Sequence, residues 1–168
     1  MRAAVVAAFV ASITASAALS PVAARAGSDS ENGIRHLEDR FAAAFNDKDL
    51  DRIMEVYAKD VFVFDLVPPR QYVGREAYRA DWKTLLGSYK GPISFTLNDL
   101  AIRTEGDMGY SHSIQHLVGT NLDGSKADLT VRVSDVYRRI DGEWKIVFEH
   151  VSVPVDLATG KPDFTSAP

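Results

Sequence analysis

The sequence contains no cysteine, only four histidines and no basic cluster. Without cysteine there can be no disulfide framework, thiolate zinc site, iron–sulfur cluster, cysteine nucleophile or lipoprotein anchor. The 168 residues carry 19 Lys and Arg against 23 Asp and Glu, a net charge of -4. A weakly acidic chain of this kind is not expected to bind nucleic acid. Its length allows one domain with a short extension.

The first 26 residues have the pattern of an export signal. No charged residue lies between Arg2 and Arg25, and Ala24-Arg25-Ala26 places small residues before Gly27. This pattern predicts a secretory signal peptide over residues 1–26, cleaved after Ala26, and therefore a periplasmic or secreted protein with no membrane segment after cleavage. An uncleaved transmembrane anchor is the alternative, although Ala, Ser and Thr dominate the segment. The mature chain would have 142 residues and a net charge of −6.

Helical periodicity dominates the first half of the mature chain. After a polar tail over residues 27–33, apolar residues recur at spacings of three and four. The expected elements are a helix from Ile34 to about Asn46, a helix from Leu50 to Tyr57 capped by Asp49, a strand over 61–64, a strand fragment over 71–73, and a third helix after Gly74.

The period changes from 3.6 to 2 after Gly91-Pro92. Four strands are predicted over 93–104, 108–121, 126–140 and 143–153, with turns that include Asp123-Gly124 and Asp141-Gly142. The class is therefore α+β, with three N-terminal helices packed on a strongly curved antiparallel sheet. The longest predicted strand would reach about 50 Å if it were straight, whereas a compact domain of this size is about 37 Å across. The strands must therefore bend. In the first of these strands the apolar residues change from odd to even positions, which predicts a bulge near Asn98-Asp99. Residues 154–168 are expected to form an extended, partly disordered tail.

Pairing arithmetic about the two Asp-Gly turns predicts which side chains face the core. It places His112 opposite Asp135 and His150 on a diagonal to it, all on an apolar inner face. This cluster is either the polar floor of a pocket or a buried structural network, and one inserted residue would change the assignment. The expected pocket residues are Phe41, Tyr57, Trp82, Tyr110, Ile114, Tyr137 and Phe148. The outer face carries Arg132, Glu149 and Val151 as a solvated or interface patch.

Asp65 is a second candidate acid. It ends an apolar strand, where it could simply terminate the strand by binding backbone amides. Alternatively, it is a general base at the rim of an apolar cavity, where desolvation raises its pKa. His112 and His116 are about 13 Å apart along a strand and cannot share one metal ion. No nucleophile elbow, phosphate loop or dinucleotide fingerprint is present, so neither a metal nor a cofactor is indicated.

Four segments together resemble the nuclear transport factor 2-like superfamily over residues 34–153. The resemblance lies in the segments Phe41–Asp51, Tyr57–Val61, Val73–Ala77 and Tyr137–Val147. This superfamily has a cone fold shared by ketosteroid isomerases, SnoaL-like polyketide cyclases and the association domain of calmodulin-dependent kinase II. The resemblance is specific for fold and weak for activity. It also implies homodimers or larger rings formed through the outer sheet face.

The resemblance to ketosteroid isomerase implies roles for three positions. Asp65 falls where that family has its general base. Asp135 falls, within one residue, where the family keeps a protonated acid that donates a hydrogen bond to an oxyanion. The family's oxyanion tyrosine matches Phe41, which has no hydroxyl. His112 or His150 would then have to supply the missing donor.

The sequence therefore predicts an exported cone-fold domain whose pocket binds a small, largely apolar ligand. Proton-transfer chemistry of isomerase, cyclase or lyase type is the leading hypothesis, with Asp65, His112, Asp135 and His150 as catalytic candidates. The alternatives are a ligand carrier without catalysis and a homo-oligomerisation module of the same fold.

Overall fold

The computed structural model describes residues 21–166, with side chains from residue 29 onwards. The predicted α+β class is confirmed. The elements in chain order are α1 (Pro21–Asn46), α2 (Leu50–Glu55), β1 (Tyr57–Phe64), β2 (Tyr72–Val73), α3 (Arg75–Gly87), β3 (Tyr89–Glu105), β4 (Met108–Asn121), β5 (Lys126–Ile140) and β6 (Glu143–Ser152).

Residues 1–20 of the predicted signal peptide lie outside the described part of the chain, so export and cleavage stay predictions. Within the described part, no helix is both long and apolar enough to cross a membrane. Residues 27–33, expected as a polar tail, belong to α1. The Arg139 guanidinium donates to Ser30 Oγ at 2.9 Å, which ties this turn of α1 to the sheet.

The helices follow the predicted apolar spacing. Every member of the α1 stripe is buried: Ile34, Leu37, Phe41, Ala44 and Phe45. The Asp49 carboxylate caps α2 by accepting from the amides of Asp51 and Arg52, both at 3.1 Å. Tyr57, predicted at the end of this helix, instead begins β1, because it pairs in the sheet with Ile146.

The sheet has the order β2-β1-β6-β5-β4-β3, and β1 with β6 is its only parallel pair in the described chain. The four-stranded meander of β3 to β6 is as predicted. The predicted bulge is present in β3, where pairing shifts between Asn98 and Ala101 and Asp99 has φ 53°. At the end of α1, the Asn46 side chain makes two hydrogen bonds to the Phe95 backbone, at 2.8 and 3.0 Å, and so joins this helix to the curved sheet.

The C-terminal segment was expected to be extended and partly disordered, but residues 154–166 fold back on the domain. A bridge joins Val155 to Pro162, and the Asp163 amide donates to the Pro154 carbonyl at 2.9 Å. The Thr130 amide of β5 then donates to the Phe164 carbonyl at 3.0 Å. These bonds hold Phe164 against the sheet.

Candidate functional site

A cavity of about 430 Å³ lies among α1, α3, the inner face of the sheet and the C-terminal segment. Most of its wall is apolar and comes from distant parts of the sequence. Representative wall residues are Phe41, Trp82, Phe95, Leu117, Val131 and Phe164. Because Phe164 belongs to the folded-back segment, the tail forms part of the wall. A cavity of this volume and composition suits a small, apolar ligand.

Edge-to-face aromatic contacts fix the shape of this wall. The Trp82 ring meets Phe41 at 5.6 Å and Phe45 at 5.0 Å between centroids, with interplanar angles of 79° and 88°. Phe41 also contacts Phe95 edge-on at 5.7 Å. Such pairs add about 0.5–1.5 kcal/mol each beyond area burial. Phe41 is therefore a packing residue of the wall that offers no hydrogen bond.

Asp65 lies in the cavity wall directly after β1. One carboxylate oxygen accepts from the Leu66 amide at 2.5 Å, and the other lies 3.2 Å from the Tyr78 hydroxyl. Burial raises the pKa of Asp65, and the nearby Asp81 charge raises it further, while the hydrogen bonds from Leu66 and Tyr78 oppose the rise. A partly desolvated carboxylate with a raised pKa is a stronger base than an exposed one.

Glu149 also contributes to the cavity wall and is buried. The Tyr78 hydroxyl lies 2.5 Å from Glu149 Oε1, and the Tyr57 hydroxyl donates to Oε2 at 2.9 Å. Burial raises the Glu149 pKa from 4.5 to about 7; the two tyrosine hydrogen bonds lower it, and Asp65 raises it. Two of the three carboxyls that line the cavity, Asp65 and Glu149, therefore share one phenol neighbour, whereas the third, Asp81, accepts from the Tyr72 hydroxyl.

A second group of acids lies between α1 and the inner sheet face. The Tyr137 hydroxyl lies 2.7 Å from Glu38 Oε1, 2.7 Å from Ser111 Oγ and 3.4 Å from Asp135 Oδ2. Burial raises the Glu38 pKa to about 7. Burial, with the charges of Glu149 and Glu38, raises the Asp135 pKa well above its ordinary value. Asp135 is not among the cavity-lining residues.

The predicted histidine floor is wrong, because pairing on both sides of β5 differs by one residue from the expected register. Ser111 lies opposite Asp135, and His112 opposite Ser134. Thr120 pairs with Lys126, so five residues, an odd number, lie between these paired positions.

The tight turn after Asn121 explains this odd count. The Asn121 amide donates to the Ser125 carbonyl at 2.9 Å, and Gly124 adopts φ 96°. One inserted residue reverses the facing of a whole strand. As a consequence His112 is exposed, as is Tyr110, while Ile114 lies on the outer face opposite Arg132.

On the other side of Asp135, a bulge in β6 reverses the direction in which the side chains of this strand face. Tyr137 pairs with Ile146 but Val136 with Phe148, which leaves Val147 as the extra residue. Beyond this point Glu149 faces inward and His150 outward. Phe148 consequently lies on the outer face, where its ring stacks on Phe62 at 6.3 Å.

The same bulge changes the predicted outer patch. Arg132 is exposed as expected, but Glu149 is buried and Val151 lines the cavity. The expected diagonal ion pair of Arg132 with Glu149 does not occur. Of the remaining predicted pocket residues, Phe41 and Trp82 line the cavity, whereas Tyr57 and Tyr137 are buried behind it against Glu149 and Glu38.

Three functional candidates were missed by sequence reasoning: Glu38, Tyr78 and Glu149. Glu38 follows Ile34 by four residues and so lies on the apolar stripe of α1, a signal that was available. Tyr78 lies on α3 one turn before Trp82, and nothing in the sequence marks a polar partner for its hydroxyl. Glu149 could not be found, because nothing in the sequence marks Val147 as a bulge.

Comparison with known proteins identifies the class. The SnoaL-like domain family matches residues 34–156. A solved NTF2-like protein of unknown function from Pseudomonas putida KT2440 is 32% identical, with a TM-score of 0.77, covering 84% of this chain and 98% of its own. The chain therefore belongs to the SnoaL-like family of the nuclear transport factor 2-like fold. No curated protein matches it.

Two more distant solved structures share the fold. One is a ketosteroid isomerase-like protein from Erwinia carotovora atroseptica, 16% identical with a TM-score of 0.63, covering 73% of this chain and 94% of its own. The other, from Xanthomonas campestris, is assigned as a calcium/calmodulin-dependent kinase II association domain. It is 23% identical with a TM-score of 0.62, covering 71% and 84% of the two chains.

Proposed function

We propose that the cavity binds a small, largely apolar carbonyl compound and that Asp65 removes a proton from the carbon beside the carbonyl group. The observation that carries the proposal is the Asp65 carboxyl in the wall of an otherwise mainly apolar cavity of about 430 Å³. The apolar wall would hold the ligand's frame, and the desolvated carboxylate would act as base. Removal of the proton sends an electron pair toward the carbonyl oxygen.

Membership of the SnoaL-like family and the fold shared with a ketosteroid isomerase-like protein support this chemistry without specifying it. The developing oxyanion needs a hydrogen-bond donor, and losing one typically costs about 3 kcal/mol of transition-state stabilisation. Neither Phe41 nor the two outward-facing histidines can supply it. The donor must therefore come from a different part of the wall.

A hydrogen–deuterium exchange assay tests the proposal. The probe is 2-tetralone, a bicyclic ketone with an acidic methylene beside its carbonyl, followed by proton NMR in D2O. We expect the wild-type chain to accelerate loss of the methylene signal and Asp65→Asn to abolish the acceleration. Asp60→Asn is the matched control, because Asp60 lies on β1, the strand that Asp65 follows, with an exposed side chain. Acceleration that persists in Asp65→Asn would contradict the base assignment.

A ligand carrier is the second candidate, favoured by the same mainly apolar wall. In that case 2-tetralone would raise the melting temperature of the wild-type chain by binding the folded state, with no exchange above the buffer rate. Binding without exchange would therefore support the carrier and contradict the enzyme.

We further propose that the outer sheet face forms a homodimer. Phe62, Phe64 and Phe148 cluster there, with Phe64 38% exposed, and Arg132 lies on the same face. Sedimentation velocity should show a dimer that Phe64→Glu dissociates and Leu157→Glu, in the exposed tail, leaves intact. A monomeric wild-type chain would contradict this proposal.

A further inference from the structure

The Tyr78 hydroxyl lies between two carboxyls but has only one hydrogen. Its oxygen is 2.5 Å from Glu149 Oε1 and 3.2 Å from Asp65 Oδ2. If both carboxyls were ionised, one of these contacts would place oxygen lone pairs against each other. Both contacts become hydrogen bonds when one carboxyl carries a proton, donates it to the Tyr78 oxygen, and the phenol donates to the other carboxyl. The three groups therefore form a chain that holds one extra proton.

The surroundings indicate that Glu149 is the protonated member. It is 5% exposed and lies opposite Asp135 in the sheet. The titratable groups that act on it come from every side: Tyr57 on β1, Asp65 after β1, Tyr78 on α3, Asp135 on β5 and Glu38 on α1. No cation is among them. Asp65 is less buried and has the Leu66 amide to stabilise its ionised form, so it is the carboxylate of the chain.

Resting on the function proposed above, we propose that Tyr78 donates the proton to the ligand's carbonyl oxygen and that Glu149 restores the proton to Tyr78. The contact between Tyr78 and Asp65 is the longer of the two, so the phenol hydrogen is the one free to turn toward a ligand. All three residues contribute to the wall of the same cavity. A donor on α3 thus replaces the one that Phe41 lacks on α1.

The step balances without an outside reagent. Asp65 takes a proton from the ligand's carbon, the C–H bond breaks, and its electron pair forms the carbon–carbon double bond of an enol. The carbonyl oxygen takes the Tyr78 proton, and the Tyr78 oxygen takes the Glu149 proton. Asp65 ends protonated and Glu149 ionised, with the total charge unchanged. Reversal with the proton returned to another carbon is an isomerisation, so the substrate class is an enolisable ketone or enone on a small apolar frame.

Two matched tyrosine variants test the donor. The probes are naphthalene and 2-naphthol, which differ by one oxygen placed as in the enol of 2-tetralone, and binding is read from tryptophan fluorescence. Loss of one hydrogen bond should reduce the preference for 2-naphthol over naphthalene about fivefold in Tyr78→Phe. Tyr57→Phe removes a phenol that also donates to Glu149 but does not contact Asp65, and it should keep the preference.

Glu149→Gln tests the proton store. The glutamine amide can still donate to the Tyr78 oxygen but cannot give up a proton, so we expect the 2-naphthol preference to persist while 2-tetralone exchange falls at least tenfold. An unchanged preference in Tyr78→Phe, or full exchange in Glu149→Gln, would overturn the inference and leave the proposed function standing. If neither naphthalene nor 2-naphthol binds the wild-type chain, the proposed function fails, and the inference fails with it.

Discussion

Asp135 and Glu149 lie directly opposite each other on β5 and β6, and both side chains are buried on the inner face of the sheet. The Glu149 charge raises the pKa of Asp135 by repulsion, and Glu38 on α1, a third buried acid, raises the pKa of both. Three acids this close cannot all ionise without a large desolvation cost. The buried acids of this domain therefore retain protons near neutral pH.

Stability should fall as the pH rises toward neutrality. The pKa values of Glu38 and Glu149 are about 7 in the folded chain, against 4.5 ordinarily. Between these values the two residues keep protons in the folded state that they have lost in the unfolded state, so their contribution makes the free energy of unfolding decrease as the pH rises to about 7. Urea unfolding at pH 5 and pH 8 should show the lower stability at pH 8.

Glu38→Gln should remove part of this dependence. The variant keeps an acceptor for the Tyr137 hydroxyl and should raise the free energy of unfolding at pH 8 by about 1–3 kcal/mol, with little effect at pH 5. Asp29→Asn, at an exposed position of α1, is the control. Equal stability of wild type and Glu38→Gln at pH 8 would show that the buried acids do not behave as described.

The sequence predicted most of the architecture because local signals specify it. The α1 stripe, the Asp49 cap, the Asp141-Gly142 turn and the Asp99 bulge each left a visible pattern of polarity or turn residues. The inward facing of Asp135 on β5 was also predicted. The facing of its neighbours depended instead on the turn after Asn121 and on the bulge at Val147, where the hydrogen-bond register changes without a compositional signal.

These two register shifts account for the wrong predictions at the site. A single histidine, His112, lies between Ser111 and Ser113, so shifting β4 by one residue exchanges His112 for Ser111 beside Asp135. Shifting β6 exchanges His150 for Glu149. The predicted site was therefore a carboxyl with two imidazoles, whereas the structure has carboxyls joined by phenols, an arrangement that titrates differently and requires tyrosines from other elements.

The corrected register can be tested with two substitutions on β5. Val131 lines the cavity, whereas Val136 lies on the opposite face of the sheet. Val131→Phe should fill the cavity and weaken naphthalene binding at least tenfold, and Val136→Phe should leave it unchanged. Tryptophan fluorescence titration measures both. The reverse ranking would place the cavity on the other face.

Gly109 should be required where α1 packs on β4. A Cβ at this position would lie 2.5 Å from Ile34 Cδ1 and 3.2 Å from the Arg103 carbonyl oxygen. Gly109→Ala should therefore cost about 1–3 kcal/mol of stability by overpacking. Gly87→Ala is the matched control, because nothing lies within 4 Å of its Cβ position in α3, and it should be neutral or slightly stabilising. Equal urea midpoints for the two variants would contradict this packing.

The folded-back C-terminal segment should contribute to ligand binding. Phe164 lines the cavity, whereas Leu157 in the same segment is 95% exposed. Phe164→Ala should weaken naphthalene binding about tenfold through lost apolar contact, and Leu157→Ala should have no effect. Unchanged affinity in Phe164→Ala would mean that the segment does not close the cavity around a ligand.

The pH profile of 2-tetralone exchange tests most directly whether Asp65 and the Tyr78–Glu149 pair act as base and acid in one cavity. Because Asp65 must be ionised, the rate should rise with pH through a value above its ordinary pKa of about 4. Because Glu149 must be protonated, the rate should fall again near pH 7. We expect this bell shape in the wild-type chain and loss of exchange in Asp65→Asn. A rate that rises steadily to pH 9 in both chains would contradict it.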